Sequence, residues 1–235
     1  FDKIMDSEQK IKEDKLEKMR HSASHILAEA VLKLYPDTKL GIGPAIENGY
    51  YYDFDFSEPI EEEDLKKIEK EMRKIIKQNL PITQVFMKRN DAEEYFNKTG
   101  QIYKLELLEE IEGKELSFYI TGENEFADLC RGPHIESTGE IGAIKLTKTA
   151  GAYWRGDENK KMLTRIYGTA FETENELNTF LKNQELLESR NHRKIGKQLE
   201  LFAIIPEIGQ GLPVWLPRGY TIRRILEDYL LELEN

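Results

Sequence analysis

The spacing of apolar residues predicts several amphipathic helices. The most regular is Glu61–Asn79, where apolar residues recur every three or four positions and charged residues fill the rest. A second helical pattern covers Met19–Leu34 and ends before Pro36, which cannot continue a helix. The other predicted helical segments are Asp6–Lys18 (a solvated helix or linker), Asp91–Asn97 capped by Asn90, Glu174–Phe202 and Thr221–Glu234.

Alternation of apolar and polar residues predicts strands between these helices. Tyr50–Phe56 alternates aromatic residues with Asp from Tyr52 onward, which is typical of a half-buried strand. We expect it to form a hairpin with Leu40–Ala45 through the turn Glu47-Asn48-Gly49, with Asn-Gly supplying positive φ angles. The remaining predicted strands are Ile82–Lys88, Tyr103–Leu107, Leu116–Thr121, Ile141–Thr147 and Met162–Ala170. Because helices and strands alternate without a regular βαβ rhythm, the predicted fold class is α+β with a mostly antiparallel sheet.

Composition places the chain among globular proteins that need no membrane. Its 235 residues are 39% hydrophobic and 33% charged, enough for one large domain or two small ones. No apolar run approaches the ~20 residues of a membrane span, and the first residues lack a secretory pattern. A single cysteine excludes an intramolecular disulfide and favours a reducing, cytoplasmic setting. Since the chain begins with Phe1, we expect a piece of a longer protein.

The net charge of −10 is unevenly distributed. Residues 143–200 hold 11 Lys and Arg against 8 Asp and Glu, a local excess of positive charge. Such a segment on an acidic body can hold phosphates locally with weak non-specific affinity. A solvated face of mixed charge fits the same counts, so charge alone does not establish nucleic-acid binding.

Two short motifs hold three of the four histidines and the only cysteine. His21 and His25 are four residues apart in a predicted helix and therefore lie on one face. Cys130 and His134 have the same spacing, but Arg-Gly-Pro between them forbids a regular helix and predicts a turn. Taken alone, the helical pair His21 and His25 would be interpreted as two ordinary surface histidines and not as a functional site. Both motifs together predict one shared site.

The shared site admits more than one chemistry. Four protein ligands would make a closed structural zinc site, and three ligands with a water would make a catalytic one. The same groups without metal could position and deprotonate a water. Asp128, two residues before Cys130 on an extended strand, would point to the same side. Lys104 occupies a polar position of a predicted strand, where the pattern alone indicates a solvent-facing lysine.

The chain resembles bacterial-type threonyl-tRNA synthetase over nearly its whole length. The resemblance is carried by HSASH, GIGPAIENGYYYDFDF, DLCRGPH, LTKTAGAYWRGDENKKMLTRIYGTAF and RNHRKIGKQLELF. It implies an editing domain over 19–182, preceded by a linker helix over 1–18. Within the editing domain, about 141–182 would be the second additional domain shared with alanyl-tRNA synthetases. Residues 183–235 would be a linker helix and the start of the class II catalytic domain.

The resemblance implies hydrolysis of mischarged Ser-tRNA(Thr). A synthetic site for threonine rejects serine only through a missing methyl group, worth ~1–3 kcal/mol, so a second pocket must remove serine. The implied partners are the acceptor end of tRNA(Thr) carrying serine and the remainder of the synthetase, with no membrane. The parent would be a homodimer and this fragment a monomer. ATP, magnesium and zinc would belong to the parent's catalytic core, so ATP-dependent ligation is not expected here.

The resemblance also assigns residues to the editing pocket. His21 or His134 would orient or deprotonate water, beside His25. Lys104 would stabilise developing negative charge or the leaving ribose oxygen, Asp128 would hold the substrate amino group, and Cys130 would shape the serine-sized wall. The expected substrate-binding residues are Tyr52, Tyr119 and Arg131. The expected RNA-binding residues are Lys145, Lys148, Trp154, Arg155, Lys160 and Lys161, with Tyr153 and Arg165 as further candidates, although residue type alone favours core packing for Trp154.

Two rival interpretations stay open. In an alanyl-type editing protein the same four positions bind zinc, whereas the resemblance implies that the threonyl site works without it. DLCRGPH and HRKIGKQLELF favour the threonyl type. The second rival is a non-catalytic RNA-binding module that a structural zinc stabilises.

Overall fold

The computed structural model describes residues 2–123, 126–209 and 211–234, with side chains described from Lys12 onward. Positions 1 and 235, at the outer ends of the predicted segments 1–18 and 183–235, lie outside the described residues. The chain divides into two compact units, the first ending at Leu177 and the second beginning at Asn178. Among the described residues, no helix has both the length and the apolar character that a membrane crossing requires.

Helices and antiparallel strands make up the fold, so the predicted α+β class is confirmed. The helices are α1 (Asp2–Leu34), α2 (Glu62–Lys77), α3 (Arg89–Thr99), α4 (Ile102–Glu110), α5 (Glu174–Ser189), α6 (His192–Gln198) and α7 (Pro217–Glu234). The strands are β1 (Lys39–Leu40), β2 (Ala45–Ile46), β3 (Gly49–Asp55), β4 (Ile82–Lys88), β5 (Glu115–Thr121), β6 (Phe126–Leu129), β7 (Ala143–Tyr153), β8 (Met162–Phe171), β9 (Phe202–Ile204) and β10 (Pro213–Trp215). Every pairing between described strands is antiparallel.

The main sheet of the first unit has the order β1-β3-β8-β7, with β2 paired to β3. Helix α1 packs on β3 and β8, and α2 packs on β7. The predicted apolar stripe of α2 is buried at Leu65, Ile68, Met72 and Ile75. This layering makes α1 the central helix of the unit and buries the stretch that carries the histidine pair.

A smaller sheet of the same unit has the order β4-β5-β6. Helices α3 and α4 contribute Ala92, Phe96 and Leu108 to its core, against Leu116 and Phe118 of β5. In the β5–β6 register, Tyr119 lies opposite Asp128. The Cys130–His134 segment follows directly after β6, so this sheet positions the second motif.

The predicted hairpin exists, but its details were wrong. The first strand is broken into β1 and β2. Strand β3 is not simply half-buried, because Asp53 is buried like its aromatic neighbours and pairs with Arg165 of β8 at 2.6 Å. Gly49 does not adopt a positive φ, and Asn48 does not either. Glycine is required at position 49 because a Cβ there would overlap the Gly168 carbonyl oxygen. Close backbone approach, not turn conformation, explains this glycine.

The prediction of a strand at Tyr103–Leu107 was wrong, since these residues lie in α4. Short apolar runs do not distinguish strand from helix, and Leu, Glu and Lys favour helix. The long helix predicted over Glu174–Phe202 was also wrong. It ends at Ser189, and Asn191 caps the next helix by accepting a hydrogen bond from the backbone N–H of Arg193.

Three helix starts also differ from the prediction, the first being that of α7, which begins at Pro217 and not at Thr221. Asn90 is not a cap, because α3 begins at Arg89 and Lys88 occupies the cap position. Helix α1 extends from Asp2 without a boundary near residue 18, so the predicted linker and the motif helix are one element.

The second unit contains α6, the β9–β10 hairpin and α7. Gly196 of α6 packs against Phe202, whose ring meets Trp215 across the hairpin. Several large apolar side chains of this unit are exposed, among them Ile204, Leu212, Trp215, Ile225 and Leu230.

Candidate functional site

Helix α1 holds the first motif in the interior of the first unit. His25 is buried, and His21 is partly buried at the edge of the site. The serines between them are fully buried and make local hydrogen bonds. The Ser24 Oγ lies 2.7 and 2.6 Å from the carbonyl oxygens of His21 and Gly43, to which its hydroxyl can donate its one proton. Small side chains at these positions let α1 approach its neighbours closely enough for both imidazoles to reach one point.

The turn after β6 brings the second motif to the same point. The Cys130 Sγ lies 3.3 Å from the Nε2 of His21 and 3.2 Å from the Nε2 of His134. The ring of His134 packs against those of His21 and His25, with centroids 4.2 and 4.4 Å apart. The predicted meeting of the two motifs is therefore present, with one donor atom of each residue within 4.8 Å of the others.

A buried polar network adjoins this tetrad, which we define as His21, His25, Cys130 and His134. Lys104 and Asp128, each only 2% exposed, form an ion pair at 2.5 Å. The Tyr52 hydroxyl donates to Asp128 at 2.6 Å and accepts from Lys104 at 2.9 Å. The solvent-facing strand lysine that the pattern indicates was therefore wrong, because Lys104 lies in α4 and a helix face turns it inward.

The network reaches the tetrad through His25, whose Nε2 is 4.0 Å from Asp128 Oδ2. Tyr119 closes another wall, with its ring 4.2 Å from that of His134. Arg131 is exposed on the turn beside the site. The structure thus brings together all the predicted pocket residues, with Arg131 at the rim.

Burial sets the protonation states of the tetrad. It lowers the pKa of all three imidazoles, that of His25 and His134 well below the ordinary value. For His25 the neighbouring His21 and Lys104 charges lower the pKa further. Burial raises the pKa of the Cys130 thiol to about 11. Near neutral pH the site therefore offers neutral imidazoles and a protonated thiol, and a neutral imidazole can accept a proton from water.

The tetrad could also hold a metal ion such as zinc, since its four donor atoms lie within 4.8 Å of one another. In tetrahedral zinc sites, neighbouring sulfur and nitrogen ligands are about 3.5 Å apart, close to the two sulfur–nitrogen distances found here. The Nδ1 atoms of His21 and His134 point away, to the Pro133 carbonyl and the Ser22 hydroxyl. Such outer partners orient imidazole ligands in metal sites.

The predicted RNA-binding residues are mostly engaged within the protein. Trp154 is buried and donates its Nε1–H to Glu106 at 2.9 Å, so its role is core packing. Five of the basic candidates form ion pairs, which are Arg155–Glu110, Lys160–Glu106, Lys161–Asp55, Lys145–Glu69 and Arg165–Asp53. Lys148 is exposed, with its Nζ 5.0 Å from the centroid of the Tyr167 ring. Tyr153 is also exposed.

Sequence reasoning missed Ser22, whose Oγ lies 3.0 Å from the Nδ1 of His134. Ser22 is fully buried, and nothing in the helical pattern distinguishes it from Ser24. The available signal was its place directly after His21, inside a motif whose other residues form the site.

Comparisons with known proteins define the class first. The family described as "Threonyl and Alanyl tRNA synthetase second additional domain" matches residues 116–167, which include β5, the Cys130–His134 turn and most of β8. This range overlaps in part with the predicted segment 141–182. The match identifies this part of the first unit as a second additional domain of the kind described for threonyl and alanyl tRNA synthetases.

Individual relatives define the family more closely. A threonine-tRNA ligase of Listeria monocytogenes serotype 4a (strain HCC23) is 52% identical over 223 residues, 94% of this chain and 34% of the relative. Threonine-tRNA ligase 1 of Bacillus subtilis (strain 168) gives the same identity and coverage. A threonine-tRNA ligase of Geobacillus sp. (strain WCH70) is 51% identical over 93% of this chain and 34% of the relative. The chain belongs to the threonyl-tRNA synthetase family and spans about a third of the length of these relatives.

Proposed function

We propose that this chain performs post-transfer editing, hydrolysing the ester of mischarged Ser-tRNA(Thr) in the cytoplasm. The observation that carries the proposal is the buried tetrad joined to the Lys104–Asp128–Tyr52 network. We assign the editing domain to 19–182, with the second additional domain at about 141–182. Residues 1–18 are then the linker helix, and 183–235 the second linker and the start of a catalytic domain.

The reaction adds water to the carbonyl that joins serine to the terminal ribose. A neutral imidazole, His21 or His134, takes a proton from the attacking water. The ester bond then breaks, the ribose oxygen regains a proton, and serine leaves. Low pKa values keep these imidazoles unprotonated near neutral pH, so the base is available without prior deprotonation.

Lys104 and Asp128 bind groups of opposite charge on the substrate. The Lys104 ammonium has three N–H donors, and Tyr52 and Asp128 engage two of them. The third is available for the developing oxyanion or the leaving ribose oxygen. Asp128 holds the substrate ammonium, and Tyr52 keeps the carboxylate in place by donating to it.

Selection against threonine is a matter of space. Cys130 lies between His21 and His134, and Tyr119 packs on the other face of His134. We propose that this wall accommodates the serine side chain and excludes the additional methyl group of threonine. A site that merely lacked affinity for threonine would discriminate by only about 10–200-fold.

Zinc-dependent editing is the second candidate, favoured by the sulfur–nitrogen distances in the tetrad. Three residues of the tetrad would hold the ion and leave the fourth position to a water, whose pKa the zinc would lower to about 7. Elemental analysis of protein dialysed without chelator distinguishes the two. One equivalent of zinc, with activity lost on its removal, favours the second candidate, and active protein without zinc favours the first. A non-catalytic module would unfold with chelator and show no deacylase activity.

The proposed partners are the acceptor end of tRNA(Thr) and the rest of a synthetase that acts as a homodimer, the chain alone being a monomer. Lys148 and Tyr153 are exposed and suited to RNA contact, and Arg131 stands at the pocket rim. Lys145, Arg155, Lys160 and Lys161 would contribute only by exchanging their carboxylate partners for phosphates.

Deacylation assays on three charged tRNAs test the proposal. We expect the chain to release serine from Ser-tRNA(Thr), to spare Thr-tRNA(Thr), and to act less on Ser-tRNA(Ala). His21→Ala should reduce the rate constant of Ser-tRNA(Thr) hydrolysis by about 10²–10⁴-fold, the range of general base catalysis. His192→Ala, a change at an exposed histidine of α6, is the control and should keep the wild-type rate. Equal rates in wild type and His21→Ala would exclude the proposed base.

A further inference from the structure

We infer that Ser22 is a positioning residue that fixes the proton of His134 on Nδ1 and leaves Nε2 as the free base. The inference rests on the proposed editing function. Ser22 lies on α1, is fully buried, and belongs to neither motif pair. Its hydroxyl is 112 positions from His134 in sequence, yet 3.0 Å away in space.

The three polar contacts of the Ser22 hydroxyl favour one arrangement of protons. Its Oγ contacts the Lys18 carbonyl oxygen at 2.9 Å, the Ile135 backbone N–H at 3.2 Å and the His134 Nδ1 at 3.0 Å. A carbonyl oxygen can only accept and a backbone N–H can only donate. With the hydroxyl proton donated to Lys18, one oxygen lone pair accepts from Ile135. The remaining lone pair can pair with His134 only if Nδ1 carries a proton.

The same reasoning holds for His21. Its Nδ1 lies 3.2 Å from the Pro133 carbonyl oxygen, which only accepts, so this nitrogen is the protonated one. The Nε2 atoms of His21 and His134 are then both bare, and both face the Cys130 Sγ. Two different partners, a carbonyl and a hydroxyl, produce the same tautomer on the two rings.

Cys130 cannot satisfy both bare nitrogens. A thiol has one proton, and the third neighbour of Sγ is the Gly132 backbone N–H, which donates at 3.2 Å. Whichever imidazole accepts the S–H, the Nε2 lone pair of the other receives no proton from the thiol. That lone pair is the acceptor for a proton of the attacking water. Without Ser22, His134 could place its proton on Nε2 instead, which would occupy this lone pair.

Histidine nitrogen NMR measures the tautomer directly. Long-range proton–nitrogen correlations on the whole chain, labelled at histidine and freed of metal with chelator, distinguish a protonated from a bare ring nitrogen. We expect His134 in the wild type to show protonated Nδ1 and bare Nε2. Ser22→Ala should show a mixture of tautomers or the reverse one. Ser24→Ala is the matched control, since this serine is equally buried in the same helix but contacts only carbonyl oxygens.

Kinetics complete the test. Ser22→Ala should lower the kcat of Ser-tRNA(Thr) hydrolysis by about 10–100-fold, as loss of an outer partner does, with little change in KM. A wild-type His134 protonated on Nε2, or a Ser22→Ala variant that keeps the wild-type tautomer, would overturn the inference. The spectrum needs no substrate. An inactive wild type with the expected tautomer would therefore refute the editing function and not the assignment of Ser22.

Discussion

At the scale of single residues, the burial of Lys104 depends on one partner of opposite charge, Asp128. The two form a buried ion pair, and the Tyr52 hydroxyl completes the arrangement. Removing one member of a buried pair leaves an uncompensated charge, which costs about 3–5 kcal/mol, whereas removing both costs much less. The residue proposed to stabilise charge in the reaction therefore also stabilises the fold.

We accordingly expect Lys104→Met to lower the free energy of unfolding by about 3–5 kcal/mol. Adding Asp128→Asn should recover a large part of this loss, because the remaining carboxylate is then neutralised. Lys98→Met, at an exposed lysine of α3, is the matched control and should change stability by less than about 0.5 kcal/mol. Urea unfolding followed by circular dichroism measures all four proteins. A double variant no more stable than Lys104→Met would contradict this account of the pair.

The buried imidazoles make stability depend on pH. Their pKa values in the folded protein lie below the ordinary 6.5, so below that pH the unfolded chain binds more protons than the folded one. Their contribution to stability is therefore complete above pH 6.5 and is lost as the pH falls below it. We expect the Tm of metal-free protein to be lower at pH 5.5 than at pH 7.5.

The variants identify the groups responsible. His25→Gln removes a buried imidazole and should reduce the difference in Tm between the two pH values. His192→Gln, at an exposed histidine, should leave that difference unchanged. An identical pH dependence in wild type and His25→Gln would show that other groups cause it.

At the scale of elements, the turn from Cys130 to His134 depends on Gly132. This residue has φ +71°, which favours glycine, and a Cβ there would also overlap the Tyr119 hydroxyl. The turn therefore brings Cys130 and His134 into the site only if residue 132 can adopt a positive φ and has no side chain beside Tyr119.

Gly156→Ala supplies a matched control for this turn. Gly156 has φ +72°, almost the same conformation, but nothing lies within 4 Å of a Cβ there. We expect Gly156→Ala to cost about 1 kcal/mol through backbone strain alone. Gly132→Ala should cost more and should lower deacylation as His134 is displaced. Thermal unfolding and the Ser-tRNA(Thr) assay measure the two effects, and equal losses of stability would argue against the overlap.

At the scale of the whole molecule, the charge distribution limits RNA binding by the chain alone. The net charge is −10, and most of the predicted basic residues are paired with carboxylates. We expect weak binding of tRNA(Thr) with a shallow salt dependence, equivalent to about one to three phosphate contacts.

Fluorescence titrations at several salt concentrations measure this dependence. Lys148→Ala should reduce the slope of log K against log salt by about one, the effect of one lost phosphate contact. Lys98→Ala, on α3, should leave the slope unchanged. A slope as steep in Lys148→Ala as in wild type would remove Lys148 from the RNA-binding surface.

The sequence predicted some of the fold correctly because certain patterns are long and unambiguous. The apolar stripe of α2 fixes one buried face, and the bounds of α2 and β8 agree with the prediction to within a few residues. The strand prediction at Tyr103–Leu107 failed because five alternating residues fit a helix as well as a strand. The predicted positive φ angles of the Asn-Gly turn were wrong because glycine at position 49 is required by the close backbone of β8. Local sequence does not reveal that neighbour.

The sequence by itself determined the chemical groups of the site and the local geometry of each half. A helical spacing aligned His21 with His25, and Arg-Gly-Pro forced a turn between Cys130 and His134. Only the tertiary structure joined the halves, across 109 positions between His21 and Cys130. It also decided the protonation of the site, because desolvation and hydrogen bonding come from packed neighbours such as Ser22, Lys104 and Tyr52. Spacing along the chain encodes periodicity, whereas a pKa or a tautomer depends on what surrounds the group in three dimensions.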